Sequence, residues 1–172
     1  LTLDSLAAGK ADQQKLAECQ QLVGDHSNWY SKLSKRLEHL QQRLSKTVGH
    51  VRYRPQLEAK KCHTFTVDKV AKGSISVKEL EACEDLVGRH HDWWSGLQDD
   101  VGVIAEAFKK TENEAEWRAK FLKHGCSSVT ATDVATGRVP NGDLVVCKTL
   151  SEQFDRYYRK KRNAQWAQER AE

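Results

Sequence analysis

The strongest constraint on this chain is an internal period. Cys19, Cys83 and Cys147 lie 64 positions apart, and so do Cys62 and Cys126. Without a gap, the same offset aligns Thr2 with Thr66 and Thr130, Ala7 with Ala71 and Ala135, and Gly9 with Gly73 and Gly137. It also aligns Leu16, Leu80 and Leu144, then Leu22, Leu86 and Leu150, and an aromatic column of Trp29, Trp93 and Tyr157. Residues 1–62 and 65–126 agree at 17 of 62 positions, among them four of the five in Leu22-Val23-Gly24-Asp25-His26 and Leu86-Val87-Gly88-Arg89-His90. A fixed period of this size marks supersecondary units that bury their apolar faces against one another. The expected organisation is therefore unit 1 over 1–64, unit 2 over 65–128 and a partial unit 3 over 129–172. The chain starts at Leu1 and has no methionine, so we expect a piece of a longer array.

Within a unit the apolar spacing is helical. In unit 2, Thr66 heads a short helix that closes near Gly73, and Ser76-Val77-Lys78-Glu79 has the form of a capping box opening a long one. From there Leu80, Cys83, Leu86, Val87, His90, Trp93, Trp94, Leu97, Val101, Ile104 and Phe108 follow steps of three and four. The matching stripe in unit 1 runs from Leu16, Cys19 and Leu22 through Trp29 to Leu44. Thr111-Glu112-Asn113-Glu114 reads as a second capping box, opening a third helix that ends at Gly125. Each unit is then short helix, long helix, medium helix, and the fold class is all-α. Leu16, Cys19, Leu22, Trp29, Leu80, Leu86, Trp93, Leu144, Leu150 and Tyr157 are the expected core anchors. Gly24 and Gly88 inside the long helices are read as points of close helix packing.

The cysteines have two readings. On the buried stripe a thiol behaves as a small hydrophobe. Alternatively, Cys62 with Cys83 and Cys126 with Cys147 form disulfides across the unit junctions, since both members recur at one offset. Free thiols favour a cytoplasmic, cytoskeletal setting, and disulfides an extracellular or cell-surface one. The counterpart of Cys19 would fall just before Leu1.

Little points to catalysis or to a cofactor. There is no nucleophile elbow, phosphate-binding loop, dinucleotide fingerprint or zinc spacing, so no catalytic, cofactor or metal residue is assigned. His26, His90 and His91 read as packed histidines rather than ligands, and Asp99-Asp100 and Glu112 with Glu114 as solvated acids. Net charge is only +4, divided +5, −3 and +2 over the three units, so nucleic acid is not the expected partner. One local exception is Arg156, Arg159, Lys160, Lys161 and Arg162, five cations in seven residues, a candidate contact for an acidic surface.

Tryptophan-bearing long helices in tandem resemble the general plan of spectrin-type rods. The likeness is architectural and carries over no functional residue. The expected function is that of a non-enzymatic spacer or scaffold, cytoskeletal in type, touching protein partners such as neighbouring repeats. The alternatives are a disulfide-stapled extracellular receptor or adhesin, and a nucleic-acid or anionic-membrane binder acting through 156–162.

Overall fold

The computed structural model describes residues 2–9 and 12–172. Among the described residues all regular structure is helical, with no strand. In chain order the elements are α1 (Leu3–Ala7), α2 (Gln13–Ser45), α3 (Arg54–Ala59), a 3-10 turn (Cys62–Thr64), α4 (Val67–Ala71), α5 (Val77–Lys110), α6 (Ala115–Lys123), α7 (Ala131–Ala135) and α8 (Asn141–Ala171).

Local chemistry explains most boundaries. Thr2, Thr66 and Thr130 each accept a backbone N–H of the short helix that follows, and Gly9, Gly73 and Gly137 close those helices at φ +65°, +77° and +76°. Ser76 and Glu79 exchange bonds in a capping box at the head of α5. At the other end of α2, Arg54 donates to the Leu44 carbonyl at 3.3 Å and to the Thr47 hydroxyl at 3.2 Å, placing a cation where helix carbonyls are unpaired.

Thr111 departs from its expected role. It is fully buried and ends α5: its backbone N–H and its hydroxyl both donate to the Phe108 carbonyl. The capping box at 111–114 does not form, and α6 starts behind Glu114 with no side-chain cap. The reason is that α5 holds its hydrogen-bond ladder as far as Lys110, so Thr111 is used at a C-terminus.

The three long helices run parallel and staggered. Arg36 of α2 stands beside Glu84 of α5 and Arg43 beside Gly88, while Asp100 of α5 stands beside Lys148 of α8 and Glu114, just past α5, meets Lys161, so the pairings climb in one direction at both joints. The rear half of each helix thus lies along the front half of the next, and residues 46–76 and 111–140 carry the chain back. Two apolar clusters fill the overlaps. One joins Leu33, Leu37, Leu40 and Leu44 to Leu57, Phe65, Leu80 and Leu86; the other joins Leu97 and Ile104 to Phe121, Leu144, Leu150 and Phe154.

Overlap decides which anchors are buried. Leu80, Leu86, Leu144 and Leu150 are in the core and Trp93 is half-buried, but Tyr157 is exposed and Tyr158 packs against the cluster in its place. In unit 1 the expectation fails: Cys19 is exposed, Leu16 is half-buried, and Leu22 and Trp29 keep 67% and 43% of their surface in solvent. The stripe is present, but among the described residues no second long helix lies along the front half of α2, whose buried residues begin at Leu33. The glycine reading also fails. A Cβ on Gly24 would meet nothing within 4 Å, and one on Gly88 only the Arg43 guanidinium at 3.9 Å.

Candidate functional site

Three constructions hold the overlaps together. The first is covalent. Cys62 is bonded to Cys83 and Cys126 to Cys147, with Cα separations of 5.8 and 5.5 Å. Each bond ties the front of a long helix to the turn that precedes the short helix before it, α4 or α7, and Cys19 is the one free thiol among the described residues.

The second is an imidazole node where the two apolar clusters meet. His50, in the turn after α2, faces His90 of α5 with Nδ1 2.8 Å from Nε2. The two rings lie among Tyr53, Trp93 and Trp94, and both residues are buried. One nitrogen must donate and the other accept, so the accepting ring must be neutral. Burial, aided by repulsion from His50 and His91, lowers His90 to about 4, and burial also lowers His50. Next to the node, the Val51 N–H donates to the Ala135 carbonyl at 2.9 Å, joining the turn after α2 to α7.

The third lies at the far end of α5. Glu114 accepts from the Tyr157 hydroxyl at 2.9 Å and from Lys161. These bonds hold its carboxyl below the usual range, Lys161 first and Tyr157 next. Glu114 is thus no solvated acid: only 13% of its side chain is exposed.

This last contact changes the basic run. Lys161 is engaged by Glu114, Arg159 pairs with Asp155 one turn back, and the Arg162 guanidinium lies 4.9 Å over the Trp166 ring. Arg156 and Lys160 make no ion pair among the described residues. Three of the five cations are therefore already engaged within the chain, and α8 beyond Tyr158 is exposed throughout.

Sequence reasoning passed over His50 and the interhelical pairs Arg36–Glu84 and Asp100–Lys148, and gave Glu114 a different role. Both of those pairs span 48 positions, a distance set by the stagger and invisible in a 64-residue period. Among the described residues no three His, Cys, Asp or Glu side chains cluster to hold a metal, and no helix is long and apolar enough to cross a membrane. An open cleft of about 810 Å³ runs between α5 and α8, lined by Gly102, Val103, Ala107 and Phe154. The chain matches no known family, no curated protein and no solved structure.

Proposed function

We propose that this chain is a non-enzymatic array of 64-residue helical units, stapled by disulfides, which serves as a spacer and presents helix faces to protein partners in an oxidising compartment. The observation that carries the reading is the pair of disulfides at successive joints, each closing a 21-residue separation. Cytosolic thiols are kept reduced, so bonds built into two joints favour the extracellular alternative over the cytoskeletal one. Support for the array comes from α1, α4 and α7, five residues each, whose capping threonines stand 64 positions apart. An elongated form suits a spacer: α5 alone, 34 residues at ~1.5 Å each, extends roughly 50 Å.

Alkylation of unreduced protein tests this reading. One reactive thiol, at Cys19, is expected, and five would overturn the stapled array. Solution scattering should report a particle much longer than it is wide; a compact one would remove the spacer role. Binding through Arg156, Arg159, Lys160, Lys161 and Arg162 is the subordinate reading, because two of the five already have carboxylate partners. It requires salt-sensitive capture of a polyanion.

A further inference from the structure

We propose that the front half of α2 is a docking surface for the rear half of another helical unit of this construction, and that Cys19 is the thiol that locks it. The inference rests on the array reading above.

Two joints in the chain supply the template. On α5, Leu80, Cys83, Leu86, Val87 and His90 are buried by the rear half of α2 and residues 50–65. On α8, Leu144, Cys147, Leu150, Ser151 and Phe154 are buried by the rear half of α5 and residues 117–126. Sixty-four positions before the first set stand Leu16, Cys19, Leu22, Val23 and His26. Here Leu22 and Val23 are 67% and 70% exposed, and Trp29 continues the bare stripe at 43% as far as Tyr30, whose hydroxyl donates to Asp68 of α4. A contiguous apolar face of this kind on a charged helical protein marks an interaction site.

The same templates identify the occupant. What covers α5 and α8 is a helix carrying four apolar residues in steps of four, three and four, Leu33, Leu37, Leu40 and Leu44 in one case and Leu97, Val101, Ile104 and Phe108 in the other. A cysteine follows each, 21 positions before the one it bonds. The partner of α2 must bring both features. The tail of a second copy does not: there the four positions are Lys161, Gln165, Gln168 and Glu172, polar groups that would be buried unpaired. Nor is a cysteine of a second copy free for Cys19 except its own Cys19, since Cys62 and Cys126 are already bonded. Gln20 occupies the position of Glu84 and Lys148, so this joint relies on apolar contact and the disulfide rather than on an ion pair.

The test extends the full chain. A copy of residues 65–128, with its own Cys83→Ser to remove a spare thiol, is placed directly ahead of Leu1, which sets its Cys126 21 positions before Cys19. Peptide mapping should then find Cys19 bonded to that added cysteine, and amide exchange over residues 16–30 should slow at least tenfold. A second version carrying Cys126→Ser in the added copy should still slow exchange over 16–30, because the apolar contact remains. If Cys19 stays alkylatable and 16–30 exchange as in the unextended chain, the docking surface is wrong. Dimerisation of the unextended chain through Cys19, with 16–30 protected, would also overturn it. Failure here while Cys62–Cys83 and Cys126–Cys147 remain intact leaves the array reading standing; loss of those bonds removes the array reading itself.

Discussion

The guanidinium of Arg36 on α2 donates to the Glu84 carboxylate on α5 through both Nε and Nη2. Sixty-four positions further on, Asp100 of α5 and Lys148 of α8 occupy the same places with the signs exchanged, 3.1 Å apart. Both joints therefore hold one stagger with opposite charge patterns. Like charges brought together would oppose a wrong pairing, so the exchange discriminates one joint from the other.

A double-mutant cycle checks this pair. Arg36→Asp should destabilise the first joint, and adding Glu84→Lys should recover the loss by rebuilding the arrangement of the second. The side chains of Arg36 and Glu84 are 39% and 32% exposed, so solvent screening limits the coupling to about 1 kcal/mol or less in urea unfolding. Two independent, additive losses would show that the pair does not act as a unit.

Replacing Cys62 and Cys83 together by Ala should lower stability by about 3 kcal/mol, the order expected when a cross-link closing a loop of some 20 residues is removed. Denaturant unfolding without reductant measures it. Cys19→Ala, at an exposed thiol, should leave the midpoint unchanged.

The His50–His90 node predicts a pH dependence. Folding favours the neutral His90 ring, whose value falls from the ordinary 6.5 to about 4. Between those values the unfolded chain binds more protons, so stability rises with pH. The contribution is complete above about 6.5 and is lost as pH falls toward about 4. His90→Phe, the residue type found at position 154, should flatten this part of the stability profile relative to the unaltered protein. An unchanged slope would place the titration elsewhere.

Two leucines on α2 separate pattern from burial. Leu40 is 1% exposed and Leu22 is 67% exposed. Leu40→Ala should cost roughly 2–5 kcal/mol through lost contacts and a residual cavity. Leu22→Ala should fall within about 0.5 kcal/mol of zero. Equal losses would contradict the exposed front half of α2.

Helix content and most helix ends were legible in the sequence, because they depend on neighbours a few positions away. Thr66 and Ser76 cap the first turns of their own helices, Gly73 supplies a positive φ, and steps of three and four put Leu80, Leu86 and Leu97 on one face of α5. Thr111 marks the limit of such reading: the same side chain can cap the start of one helix or the end of another, and the length of α5 decided it. The tertiary structure alone decided what lies against each face. Leu16 and Leu80 share a place in the pattern, yet only Leu80 is buried, because periodicity says which side of a helix can be covered and burial needs a second helix at contact distance. The cysteines follow the same logic. A buried thiol and a disulfide were both open until the approach of α5 to the turn after α3 brought Cys83 to Cys62. His50 with His90, Glu114 with Lys161 and Arg36 with Glu84 likewise arise from the parallel stagger, a distance between helices that no single helix encodes.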